Sequence, residues 1–210
     1  MQQRLLPLFP LQTVLLPGTP LPLHIFEPRY REMFAELLEE DGEFGVVLAR
    51  EQGILRTGCT AEVVEVAKRY EDGRLDVQTM GHRRFRIREL DTERSFLRAE
   101  VEYFDDVEFT LGREETVREA AARRVTLARL SGEEVDPVDL DGPYVSFRLA
   151  QISSDLDFRQ TLLEVVSEAE RIEMVNDHLE QMIERQKLTA AMRKVSRRNG
   201  HGTHVPGLDG

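Results

Sequence analysis

The sequence predicts an α+β chain, with a mostly antiparallel sheet holding one inserted helix, followed by a helical bundle that ends in a long helix. Three observations predict it. Short runs of alternating apolar residues fill positions 5–104. One stripe at helical spacing interrupts them: Tyr30, Met33, Phe34, Leu37 and Leu38. After Phe109 the alternation gives way to segments rich in Ala, Glu, Arg and Leu with a helical period. The expected boundaries are a β-rich lobe over 1–108, a helical lobe over 109–198 and a disordered, Gly- and His-containing tail over 199–210.

Leu5–Phe9, Thr13–Leu16 and Leu21–Phe26 read as short extended pieces punctuated by prolines. Pro28 suits the first position of a helix, where its missing N–H does no harm. Asp41-Gly42 ends that helix, with Gly42 suited to the left-handed position. Phe44–Ala49 is an apolar run of the kind that fills a buried strand. Thr60–Tyr70 and Leu75–Met80 flank Asp72-Gly73, a hairpin signal. Arg83–Leu90 and Phe96–Phe104 alternate as strands. A helix is expected over Arg113–Leu130, with Val117, Ala121, Val125 and Ala128 on one stripe, and shorter ones near Pro143–Gln151 and Asp157–Val165. Ser167 and Glu170 form a capping-box pair for the last helix. Its seam is Ile172, Val175, Leu179 and Met182, and the repeat lapses at Gln186 and Thr189. There the helix should leave the core and end in the basic stub Arg193, Lys194, Arg197 and Arg198.

A net charge of -11, spread over both halves, repels phosphate and argues against a general nucleic-acid binder. Leu5 to Phe26 carries no charged side chain, but five prolines interrupt it, so it does not read as a membrane helix. The single cysteine, Cys59, excludes an intrachain disulfide and suits a reducing cytoplasm, where it reads as a small packed residue.

Leu6-Pro7-Leu8-Phe9-Pro10-Leu11, Val14-Leu15-Leu16-Pro17-Gly18 and Leu21-Pro22-Leu23-His24-Ile25-Phe26-Glu27-Pro28-Arg29-Tyr30 together resemble the opening of the amino-terminal, substrate-binding domain of Lon-type ATP-dependent proteases. Asp72-Gly73-Arg74, Val77, Gly81 and Arg84-Phe85-Arg86-Ile87 are similar to that family's hairpin and following strand. Gln160, Leu163-Glu164 and Glu170-Arg171-Ile172 are similar to its helical half. The resemblance covers residues 5 to about 183. It implies a PUA-like pseudo-barrel followed by a helical bundle, and recruitment of unfolded proteins. A G-x-x-x-x-G-K-[ST] phosphate loop is missing, since no Gly is followed by Lys anywhere in the chain. The reading is therefore a free-standing, non-enzymatic binder of unfolded proteins or peptides, acting as an adaptor, small chaperone or decoy. It requires no cofactor and no membrane, disfavours nucleic acid and leaves self-association open.

Catalytic and metal constellations are weak. Lys194 and Ser196 point to different faces of a helix and make a poor hydrolytic pair. His201 and His204 have ligand-like spacing but sit on a Gly-rich tail, so no metal site is assigned. His24, Glu27, Arg29 and Tyr30 form the most unusual polar cluster. Architecture is the preferred account, a polar knot tying a strand to a helix start; the functional account is one wall of a peptide groove. Arg84, Arg86 and Arg88 share a strand face. They either pair with Glu100 and Glu102 on the next strand or form an anion- or RNA-binding row, the alternative function for a PUA-like fold.

Overall fold

The computed structural model describes residues 5–107 and 113–199, with side chains as far as Met192. The expected tail lies outside these residues apart from Asn199, as do the side chains of the basic stub. In chain order the elements are β1 (Leu6–Leu11), β2 (Pro20–Ile25), α1 (Pro28–Glu40), β3 (Phe44–Arg50), β4 (Gly53–Arg69), β5 (Leu75–Asp91) and β6 (Arg98–Phe104). They are followed by α2 (Glu114–Ser131), α3 (Val145–Ala150), α4 (Leu156–Glu164) and α5 (Glu168–Asn199).

The described strands form one sheet in the order β2-β5-β4-β3-β1-β6, and β6 also pairs with β5. That pairing closes β1, β3, β4, β5 and β6 into a barrel and leaves β2 as a flap on the first half of β5. Every pairing is antiparallel except β1 with β3. A parallel pair needs a long crossover, which the segment containing β2 and α1 supplies.

The barrel interior holds Leu6, Leu8, Val47, Phe85, Ile87 and Ala99. Phe85 packs against two glycines, Gly45 of β3 and Gly58 of β4. A Cβ at Gly45 or at Gly58 would stand 2.6 Å from its Cζ. On the other face of β1 and β3, Phe9, Val46 and Leu48 meet α1. Phe34 lies 5.1 Å from Phe44 and 6.0 Å from Phe9, ring centre to ring centre, and Tyr30 lies 4.2 Å from Phe9. The same apolar cluster runs on into α2, α3, α4 and α5, so the sheet and the helices share one continuous core.

Several local expectations need correction. Thr13–Leu16 is not a strand, although Val14, Leu15 and Leu16 are buried. Two of its carbonyls are satisfied without a ladder: Val14 O accepts from the Arg159 guanidinium at 2.6 Å, and Leu16 O from the Thr19 hydroxyl at 2.7 Å. Leu75–Met80 and Arg83–Leu90 are one strand, because Gly81 continues the ladder. The left-handed residue after α1 is Asp41 (φ 51°) rather than Gly42, whose N–H instead donates to Leu37 O. On α2 the buried positions are Val117, Ala120, Arg124, Leu127 and Ala128, while Val125 faces outward. Steps of four residues drift around a helix of 3.6 residues per turn, and alternating steps of three and four do not.

α5 follows its seam closely. Ile172, Val175, Leu179 and Ile183 are buried, Met182 is half-buried, and from Glu184 to Met192 the helix is largely exposed. The Glu170 amide donates to Ser167 Oγ at 3.3 Å, one arm of the expected capping box.

Candidate functional site: the outer face of β2 and the β4–β5 hairpin

His24, Ile25 and Phe26 alternate across β2 and its end. Ile25 is buried, and the residues on either side of it face out. The register sets His24 opposite Asp76 of β5, and Asp76 opposite Lys68 of β4. His24 Nδ1 lies 2.5 Å from Asp76 Oδ1, while the Tyr70 hydroxyl donates to Asp76 Oδ2 at 2.8 Å. The hydrogen bond from His24, then that from Tyr70, holds the Asp76 carboxyl below its usual range.

Around this bridge the rings assemble. Phe26 is 59% exposed, and its ring stacks on His24 at 5.9 Å and 22°. Tyr70 stands edge-on to His24 at 5.8 Å. Lys68 and Arg74 lie over the Tyr70 ring at 4.4 and 4.8 Å. Arg74 is held there by Asp72, which accepts from its Nε at 2.8 Å. The result is an exposed aromatic step with cationic flanks, positioned by the tight turn at Gly73 (φ 84°).

The four residues singled out in the sequence do not converge. His24 turns to the hairpin. Glu27 and Arg29 satisfy each other, with Arg29 Nε donating to Glu27 Oε2 at 2.9 Å. Tyr30 enters the core beneath the Arg29 guanidinium, and burial pushes its phenol up. Phe26, Tyr70, Lys68 and Arg74 join His24 instead. The signal for Phe26 was present, an aromatic two residues after His24 on the face opposite a buried Ile.

The arginine row divides. Arg88 forms an ion pair with Glu102, and Arg86 lies over the Phe104 ring at 4.4 Å, both exposed. Arg84 is buried under the helices. It donates to Leu163 O at 3.2 Å, to Val165 O at 2.6 Å and to Asp106 at 2.5 Å. Asp106 also receives Arg171, which donates in turn to Val165 O, Ser146 Oγ and Glu168. Glu168 Oε1 accepts from the Ser146 amide at 2.8 Å. Two buried cations and two buried carboxylates thus tie β5 to α3 and α5. Burial alone would raise the Asp106 carboxyl, but the hydrogen bonds and charges of Arg171 and Arg84 outweigh it and leave it below the usual range.

A cleft of about 390 Å³ opens among the helices, lined by Leu127, Ser131, Asp155, His178, Met182 and Arg185 among others. His178 stacks on Phe158 at 3.7 Å and shares a hydrogen bond with Ser153 Oγ at 2.9 Å; burial lowers its pKa. Ser153 Oγ also accepts from the Asp155 amide at 3.2 Å, so the pair secures the start of α4 against α5. No helix among the described residues is long and apolar enough to cross a membrane.

Comparison with known proteins agrees with this architecture. The crystal structure of a Lon N-terminal domain protein from Xanthomonas campestris superposes with a TM-score of 0.65 and 26% identity, covering 82% of this chain and 97% of that one. The N-terminal domain of Mycobacterium avium complex Lon protease gives 0.61 at 23% identity, covering 84% and 98%, a likeness of fold. Protein cereblon from Xenopus tropicalis is 34% identical over 94 residues, and this match spans 42% of the chain and 21% of cereblon. The ATP-dependent protease La (LON) substrate-binding domain matches residues 5–181, and the chain belongs to that family.

Proposed function

We propose that this protein binds flexible, apolar segments of other proteins through the outer face of β2 and the β4–β5 hairpin, without chemistry of its own. The observation that carries this reading is the exposed Phe26 ring, held in place by His24 beside Tyr70. An anchored aromatic presents apolar area at little entropic cost, which is why such residues dominate recognition surfaces. The family supplies the general role, binding of substrate proteins. Recognition here uses side chains rather than strand addition, because Pro20 and Pro22 deprive the outermost strand of two N–H donors. The net charge of -11 favours basic clients over acidic ones, because beside the rings Asp72 offsets the Arg74 charge and Asp76 that of Lys68. Affinity is expected in the micromolar range or weaker, because flexible clients lose conformational freedom on binding. A reducing cytoplasm suits the single buried thiol.

Binding of length-matched fluorescent peptides, varied in charge and hydrophobicity, tests this. Apolar basic peptides should bind, and Phe26→Ala should weaken them about ten-fold with an unchanged melting temperature. No binding at about 100 µM protein, or full binding by the variant, would refute the assignment. RNA recognition by the arginine row is less well supported, since Arg84 faces the helices and Arg88 is engaged by Glu102. Salt-sensitive binding of a structured RNA that is lost in Arg86→Ala would favour it.

A further inference from the structure

Three neighbouring strands bring a second set of groups together on the outside of the barrel, away from Phe26. Glu43 immediately precedes β3, Glu62 lies on β4 and His82 on β5. Phe44 pairs with Ala61, so the antiparallel register brings Glu43 beside Glu62; Glu62 in turn pairs with Met80, and His82 is the next residue on that face. In sequence the three lie about twenty residues apart. No local spacing motif announces them, and only the strand pairing unites them.

We propose that Glu43, Glu62 and His82 form a binding site for a divalent transition-metal ion, zinc being the best suited. The ligand atoms are already grouped. His82 Nδ1 is 3.0 Å from Glu62 Oε1 and 3.8 Å from Glu43 Oε2, and one such atom from each residue lies within 4.8 Å of the others. Two ligands at about 2.1 Å from a tetrahedral ion stand roughly 3.4 Å apart. The two distances to His82 straddle that value.

An independent observation points the same way. Glu43 Oε2 is shielded from solvent and has no hydrogen-bond partner, although its side chain is only partly buried. A carboxylate oxygen in that position is costly unless a cation reaches it. The other oxygen, Oε1, is held from behind, accepting from the Tyr103 hydroxyl at 3.1 Å. A phenol is a donor at neutral pH, so Tyr103 fixes that oxygen by hydrogen bonding. An outer hydrogen bond that fixes a ligating carboxylate is the usual companion of a metal site. The Arg83 guanidinium, the neighbouring cation, is stacked 4.3 Å over the Tyr103 ring.

The donor set decides the ion. One imidazole with two carboxylates suits zinc and its borderline neighbours; calcium and magnesium demand shells built from oxygen alone. Three protein ligands on an exposed face leave a fourth position to water. An exposed site of three ligands implies modest, micromolar affinity.

The test is zinc titration of the chelator-treated full chain by calorimetry. His201 and His204 are both replaced by Ala beforehand, to remove the tail histidines as competitors. One equivalent should bind with micromolar affinity, calcium and magnesium should not compete, and cobalt should give the visible absorption of a tetrahedral ion. His82→Ala and, separately, Glu62→Gln should each weaken zinc at least about ten-fold. Both side chains are more than half exposed, so the melting temperature in the absence of metal should not change. Binding that survives His82→Ala, or no binding below about 100 µM zinc, would overturn the proposal. A His178→Ala variant should bind as the parent does, and loss of the site there would equally count against it.

Discussion

Arg171 grips Asp106 with both arms of its guanidinium, NH1 donating to Oδ1 at 2.7 Å and NH2 to Oδ2 at 2.5 Å, and both side chains are buried. This fork, rather than apolar contact alone, sets where α5 meets the barrel. Val165 O lies between Arg171 and Arg84 and accepts from each.

Breaking the fork from one side leaves a charge stranded. Asp106→Asn or Arg171→Met should therefore cost about 3–5 kcal/mol in urea unfolding. A loss below about 1 kcal/mol would mean that water reaches the site and replaces the partner.

The same carboxylate sets an acid limit. The folded-state pKa of Asp106 is depressed, so its contribution is fully present above the unfolded value of about 3.9 and is lost as pH falls through the folded value. Stability should fall more steeply below about pH 4 in the parent than in Asp106→Asn. Parallel pH profiles from thermal melts would contradict this.

Phe34 is fully buried between Phe9 and Phe44, so Phe34→Ala should cost about 3–5 kcal/mol. Coincident melting of variant and parent would mean that α1 contributes little to the core.

Gly58→Ala addresses the barrel interior. The added Cβ would stand 2.5 Å from Val46 O and 2.6 Å from Phe85 Cζ, and backbone cannot yield as a flexible side chain does. Overpacking of this kind should cost about 1–3 kcal/mol. Addition of Phe85→Leu should recover part of the loss, and failure to do so would place the clash elsewhere.

Amide exchange along α5 should follow its burial. Amides around Val175–Ile183 should exchange slowly and those after Glu184 faster, since the helix leaves the core there. Uniform protection to Met192 would require a partner on the exposed length.

Elements carried by local periodicity were readable from the sequence. The stripe on α1, the Asp72-Gly73 turn and the seam of α5 each needed only neighbours a few residues away. The buried network was not readable in this way. Arg84, Asp106, Ser146 and Arg171 are far apart in the chain, and strand alternation gives Arg84 the same face as Arg86 and Arg88 without revealing that helices cover only the first. Arg124 is buried on α2 because its NH1 donates to Asp136 O at 2.8 Å, a loop contact that no helical wheel contains. The candidate site was half legible: His24 stands out in the sequence, but Tyr70 and Arg74 reach it only through the pairing of β2 with β5 and the turn that follows β4.

The prolines of β2 carry a consequence beyond recognition. An outermost strand with a full row of free N–H donors can serve as a growth front for further strands, each arrival templating the next. Pro20 and Pro22 interrupt the row of donors such growth would need on the outermost strand. The outer edge of β2 is thus a poor template for added strands and a poor seed for a fibre.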